Sequence, residues 1–173
     1  SSCQRIVDVG GGYGELLLAI LKANPGVCGS LFDLPHAVAG AQRRISEAGL
    51  GDRCDVQAGD FFEQVPAGAD AYVLKSVIHD WEDENSLRIL ANCRRAVGGS
   101  GRLLLVEQIL PDRLSHDARH QSLMRSDLTM LVAHGARERT ESEYRRLLDG
   151  AGFRVTRVIA TDSTFSVIEA VAA

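Results

Sequence analysis

Lysine is almost missing from this chain of 173 residues, with Lys22 and Lys75 the only two. Lys and Arg together number 19 against 23 Asp and Glu, leaving a formal charge of -4. A surface that tracks a phosphate backbone concentrates cationic side chains, so this balance argues against nucleic acid as a partner. The preference for Arg, with abundant Ala and Gly, reads as GC-rich coding and points to a bacterial source. Cysteine is scarce and dispersed: Cys3, Cys28, Cys54 and Cys93 form no CxxC pair and have no His at ligand spacing. Neither zinc nor a disulfide framework is expected, and the cysteines read as free thiols in the reducing cytoplasm. No apolar run approaches the roughly 20 residues that span a bilayer, and no charged start leads into an apolar stretch. A membrane partner and a signal peptide are therefore not expected.

What remains, 45% hydrophobic and 24% charged, suits one folded domain. Short apolar runs at 6–9, 27–32, 54–57, 71–74, 103–106, 155–159 and 165–170 alternate with segments whose apolar residues recur at three- and four-residue spacing. Those segments, 15–23, 37–48, 84–97, 122–133 and 141–151, read as amphipathic helices. The alternation predicts an α/β fold, a mostly parallel sheet with helices on both faces. The last two strands have no helix between them and should form an antiparallel hairpin at a sheet edge. Thr140 and Glu143 have the spacing of a capping box, and Gly152 marks the end of the helix they begin. The chain reaches its first strand within a few residues, which raises the expectation of a further domain upstream.

The segment Val7-Asp8-Val9-Gly10-Gly11-Gly12-Tyr13-Gly14 runs from strand to helix and places glycines where the backbone turns and a ligand comes close. Asp33 follows the second strand, where an acid can accept both hydroxyls of a ribose. A dinucleotide fingerprint would put a third glycine at position 15 and a pyrophosphate at the helix N-terminus, but the residue is Glu15. Carboxylates at Asp8 and Glu15 repel pyrophosphate and suit a ligand with an ammonium and a sulfonium, so S-adenosylmethionine is preferred to a nicotinamide cofactor. Gly59-Asp60-Phe61-Phe62 offers an acid for an adenine amino group and a ring to cover the base; an ordinary turn beside a core Phe is the plainer alternative.

After the fourth strand comes Leu74-Lys75-Ser76-Val77-Ile78-His79-Asp80-Trp81. Ligands of open α/β sheets collect at carboxyl ends of strands, above all where the strand order reverses. His79 there can take the proton of an acceptor hydroxyl, which is a poor nucleophile until deprotonated. Glu107 and Glu138 are candidates to orient the imidazole. Asp80, Glu82 and Asp83 also fit the positive end of the next helix, and Trp81 fits a core. Met130 and His134, one helical turn apart, are acceptor-pocket candidates with Asp80, although a helix carrying Leu123, Leu128, Leu131 and Val132 reads first as a packing element.

These residues, with Phe32-Asp33-Leu34-Pro35, Glu107 before Ile109-Leu110-Pro111, Glu138-Arg139-Thr140 and Gly150-Ala151-Gly152-Phe153, resemble the caffeic-acid-type O-methyltransferases and their bacterial relatives, among them hydroxyindole and polyketide tailoring enzymes. The resemblance spans essentially the whole chain. It implies a Rossmann-like seven-stranded sheet with an antiparallel last strand, and S-adenosyl-L-methionine held by Asp8, Gly10, Gly12, Gly14, Asp33, Leu34, Asp60, Phe61 and Lys75. It further implies His79 as base flanked by Glu107 and Glu138, no metal, a small hydroxylated acceptor, and an N-terminal dimerisation domain that this chain does not contain. Tyr13, often Thr in the family, and His134-Gly135-Ala136 depart from the pattern and leave the acceptor open. The alternatives are a cofactor-binding domain without transfer activity, an N-methyltransferase, or a nicotinamide oxidoreductase.

Overall fold

A computed structural model of the chain describes residues 3–113, 118–134 and 137–173. The strands are β1 (Arg5–Val9), β2 (Cys28–Asp33), β3 (Cys54–Ala58), β4 (Ala71–Lys75), β5 (Arg102–Leu110), β6 (Arg139–Thr140), β7 (Phe153–Ala160) and β8 (Phe165–Ala172). The helices are α1 (Glu15–Ala23), α2 (Pro35–Val38), α3 (Ala41–Glu47), α4 (Asp83–Val97), α5 (Ala118–His134) and α6 (Glu141–Gly150), with a 3-10 turn at Ile78–Asp80.

The sheet runs β3-β2-β1-β4-β5-β8-β7, and β6 attaches to β5 alone. Strands β3 to β5 are mutually parallel, and β8 lies antiparallel to both β5 and β7. The terminal hairpin therefore forms as expected, with β7 at the edge and β8 inside. The eighth strand is the two-residue β6, too short to leave a periodicity of its own.

Side-chain alternation divides the core into two layers. Ile6, Ala71 and Val73 turn toward Leu17 and Leu21 of α1 and Ile45 of α3. Val7, Val9, Tyr72, Leu74, Leu103 and Leu105 turn toward Ile89, Leu90 and Cys93 of α4 and Leu147 and Leu148 of α6. This parity bears on the site: Asp8 and Lys75 share the register of the α1 layer, and Glu107 that of the α4–α6 layer.

Three differences from the sequence reading have local causes. The helix expected at 37–48 is two, α2 and α3, interrupted at Ala39 and Gly40. Gly40 lies under the exposed Tyr13 ring, 2.8 Å from where a Cβ would stand. Strand β5 runs on to Leu110 because Gln108 pairs with Phe165 and Ile109 with Arg139. In α5, Leu123 is buried, but Leu128, Leu131 and Val132 are 60%, 59% and 80% exposed. The helix is thus not mainly a packing element within this domain, because its register turns only one of those four side chains toward the described core.

Helix α1 lies close on β2 because Gly29 has no side chain. A Cβ there would stand 2.7 Å from Leu17 Cδ1 and 3.1 Å from Leu21 Cδ1, both fully buried with nowhere to swing. Gly29→Ala is expected to destabilise the domain by about 1–3 kcal/mol through overpacking. Urea denaturation measures this, and an unchanged midpoint would show that the helix can lift off without cost.

Candidate functional site

The order reverses between β1 and β4, which pair directly, and the residues singled out in the sequence gather at the carboxyl ends of these strands. The glycine turn leaves β1 with left-handed backbone at Gly10 (φ 71°), Gly12 (φ 55°) and Gly14 (φ 79°). Three of its amides are already engaged: Gly10 N–H donates to Phe32 O, Gly12 N–H to Asp33 Oδ2 and Gly14 N–H to Gly11 O. A phosphate-binding turn needs such N–H groups free for oxygen. This turn instead presents bare Cα surface and carboxylates.

A cavity of about 440 Å³ opens beside it, lined by Asp8, Gly10, Gly11, Tyr13, Glu15, Leu16 and Lys75. Asp8 is 1% exposed and its Oδ2 has no hydrogen-bond partner. Burial pushes its carboxyl up to about 7, against the pull of the Leu17 backbone N–H. Lys75 reaches over the Phe165 ring, 4.8 Å from its centroid. Glu15 meets Arg44 at 3.2 Å on the exposed rim.

Asp33, at the end of β2, is held by two backbone donors, Gly12 N–H at 2.8 Å and Leu34 N–H at 2.7 Å. Leu34 carries the first turn of α2, its carbonyl accepting from Ala37 N–H and Val38 N–H. Asp60 closes the turn after β3 by accepting Phe62 N–H at 2.8 Å. Phe61 comes within 3.5 Å of the point where a Gly10 Cβ would lie, which brings its ring to the glycine turn. Phe61 and Phe62 stand edge-on to Trp81, with centroids 6.2 and 4.7 Å away. Trp81 fills core as read, and here it also braces the ring that reaches the turn.

Between β4 and α4 the backbone is strained at Ser76, a non-glycine residue at φ 55°. The chain then enters the 3-10 turn that carries His79. Val77 N–H and Ile78 N–H both donate to Glu107 Oε1, at 3.1 and 2.9 Å. The imidazole Nδ1 faces Glu107 Oε2 at 3.5 Å and Glu138 Oε1 at 3.4 Å, and Nε2 faces Asp80 Oδ1 at 3.4 Å. Both glutamates are buried, and His79 is 8% exposed.

Burial favours the neutral imidazole, but the Glu138 contact and the charges of Glu107, Glu138 and Asp80 outweigh it and hold His79 above its ordinary value. Burial likewise leaves the Glu107 carboxyl at about 7, despite the opposing pull of His79 and of the Ile78 and Val77 N–H groups. Imidazole and carboxyl therefore compete for one proton near neutrality. The two N–H donors fixed on Oε1 favour the carboxylate form of Glu107.

The side chains of Met130 and His134, and residues 135–136, lie outside what the structure describes. Gln108, Ser126, Asp127 and Tyr144, which the sequence did not suggest, join the site around Glu138 and Arg139. Glu138 Oε1 accepts from Ser126 Oγ at 2.9 Å and Gln108 Nε2 at 3.4 Å, and its backbone N–H donates to Asp127 Oδ1. Tyr144 of α6 is fully buried, and burial pushes its hydroxyl well above the ordinary range. Arg139, next to Glu138, is also fully buried and ion-paired with Asp83. Glu138 and Arg139 sit in the Glu138-Arg139-Thr140 motif, whereas no local pattern announces Ser126, Asp127 or Tyr144.

A doubly wound sheet with a glycine turn, an acid held by two backbone donors after β2 and a histidine at the switch point defines a cofactor-binding α/β domain. The chain belongs to the O-methyltransferase domain family, which matches residues 1–154. It is 45% identical over 170 residues to the phenazine O-methyltransferase of Lysobacter antibioticus, covering 98% of this chain and 49% of that protein. It is 48% identical over 172 residues to the O-demethylpuromycin-O-methyltransferase of Streptomyces alboniger, covering 98% and 46% respectively. Among solved structures it is similar to an O-methyltransferase from neocarzinostatin biosynthesis in complex with S-adenosylmethionine and 2-hydroxy-5-methyl naphthoic acid. The TM-score is 0.89 at 36% identity, over 99% of this chain and 49% of that one. The chain thus spans about half the length of the curated relatives it matches.

Proposed function

We propose that this domain binds S-adenosyl-L-methionine and transfers its methyl group to a hydroxyl of a small aromatic or polyketide-type acceptor, with His79 as general base. The observation that carries the reading is the buried His79 set against Glu107 and Glu138 beside the glycine turn. When bound, the cofactor supplies an electrophilic methyl on a sulfonium.

The residues present fit such a ligand. Asp8 offers an unpartnered carboxylate oxygen to a cation, and Gly10 keeps clear a surface that a side chain would fill. Asp33 is fixed by its two backbone donors with lone pairs left for ribose hydroxyls. Phe61 is placed to cover the adenine and Asp60 to accept from its amino group. Gly12 and Gly14 shape the turn, while Leu34 and Lys75 line its two sides.

At the acceptor end, Nε2 takes the hydroxyl proton, and Glu107 and Glu138 at Nδ1 stabilise the imidazolium that forms. Holding the acceptor oxygen in line with the methyl does the rest. Asp80, beside Nε2, together with Met130 and His134 of α5, would contact the acceptor. The relatives' length and the uncovered α5 leucines support a full protein in which a further domain pairs two copies and encloses the acceptor. The cytoplasm and a bacterial source belong to the same reading.

Calorimetric titration tests the cofactor class. S-adenosylhomocysteine, which keeps the ammonium, should bind in the micromolar range and NADH should not; the reverse result would restore an oxidoreductase. Because the Asp8 carboxyl loses its proton near pH 7 and a cation prefers the ionised form, affinity should rise between about pH 5 and 8 and then level off. The Asp8→Asn variant should bind more weakly and lose that slope. A slope kept in the variant would assign the titration to another group.

A further inference from the structure

The turn that carries His79 is gripped from two sides. The N–H groups of Val77 and Ile78 at its start are taken by Glu107, as described, and Arg139 reaches two of its carbonyls. Arg139 Nη1 donates to Ile78 O at 3.0 Å and Nη2 to Trp81 O at 2.8 Å, so one guanidinium brackets His79 along the chain. Nη2 also donates to Ser86 Oγ at 3.3 Å, and Asp83 Oδ1 accepts from Nε at 3.0 Å and from Nη2 at 2.8 Å. Arg139 immediately follows Glu138 and is pinned to the sheet through its pairing with Ile109. The backbone that carries Glu138 toward Nδ1 therefore also carries the side chain that holds the turn on which the imidazole sits.

We infer that Arg139, anchored by Asp83, is a positioning residue of this site: it fixes the separation and orientation of His79 relative to Glu138. A planar guanidinium is suited to the task, because its donors point in set directions and can serve two carbonyls, a hydroxyl and a carboxylate together. An ammonium has fewer donors and no fixed fork, so lysine keeps the charge and loses the bracket. Without the bracket, Ile78 O keeps only the longer contacts from Trp81 N–H and Ser86 Oγ, and Trp81 O only that from Ser86 Oγ, so the turn is held less firmly against Glu138.

The test needs no acceptor. His79 ring resonances are followed by NMR against pH in the full protein, alongside S-adenosylhomocysteine calorimetry. The groups that face the imidazole are Glu107 of β5, Glu138 and Asp80. Asp127 of α5 binds the Glu138 N–H, and Tyr144 of α6 interacts with both glutamates. The Glu138→Gln variant marks the downward shift that follows complete loss of the carboxylate. Arg139→Lys is expected to move the His79 midpoint in the same direction, and Asp83→Asn by less, with the affinity for S-adenosylhomocysteine unchanged in both. An unaltered midpoint in folded Arg139→Lys overturns the inference, even if the melting temperature falls, since that marks packing alone. Should Arg139→Lys not fold, an unaltered midpoint in Asp83→Asn, whose side chain is 57% exposed, decides against it. The inference rests on His79 as base only for its consequence in catalysis. Failure of that reading would appear as methyl transfer retained by His79→Ala, with the titration results untouched.

Discussion

Replacing His79 by Ala in the full protein is expected to lower single-turnover methyl transfer to a hydroxylated aromatic acceptor by about 10²–10⁴-fold, the usual contribution of a positioned general base. Affinity for S-adenosylhomocysteine should not change, because the imidazole is not among the groups that line the cavity beside the glycine turn. The size of the loss follows from the surroundings. The ring is buried, two carboxylates stand within 3.5 Å of Nδ1, and Nε2 faces only the half-exposed Asp80. Since those carboxylates hold His79 above its ordinary value, the neutral ring becomes available at higher pH than for a free imidazole. Transfer by the unmodified protein should accordingly rise with pH through that region, and Glu138→Gln should shift the rise to lower pH while reducing the plateau. Transfer by His79→Ala at the unmodified rate would mean that alignment of the acceptor suffices and that the glutamates serve the fold.

Whether such a residue can be found from sequence depends on how local its signals are. Thr140 and Glu143 announce their capping box because both partners lie within one turn, and the structure shows both halves of it. The glycine turn and the acid after β2 are legible for the same reason: each sits at a strand end that periodicity can locate. Arg139 is the opposite case. Its partners Ile78, Asp83 and Ser86 are between 53 and 61 residues away, and nothing around position 139 distinguishes a buried clamp from a solvated charge. The exposed leucines of α5 mislead in the reverse sense, since helical spacing shows that a face is apolar and not what covers it. The approach of Gly40 to Tyr13 joins two segments that no window along the chain contains.

Asp33→Ala is expected to weaken S-adenosylhomocysteine binding by about 100-fold, equivalent to about 2.7 kcal/mol. Two losses combine. The first is direct: a carboxylate that accepts from ribose hydroxyls contributes charge-assisted hydrogen bonds, each about 1.5–3 kcal/mol when a charged partner is involved. The second is preorganisation, because Asp33 also holds Gly12 in its left-handed turn and Leu34 at the head of α2. Asp33→Asn separates the two, since its amide oxygen can still accept from Gly12 N–H while the charge is gone, and about a tenfold loss is expected. The position is half-buried at a strand end, outside both core layers, so circular dichroism should show the fold intact in either variant. Equal affinity in Asp33→Ala and the unmodified domain would remove the ribose contact from the proposal. It would also leave the unpartnered oxygen of Asp8, rather than the acid after β2, as the main polar determinant of cofactor binding.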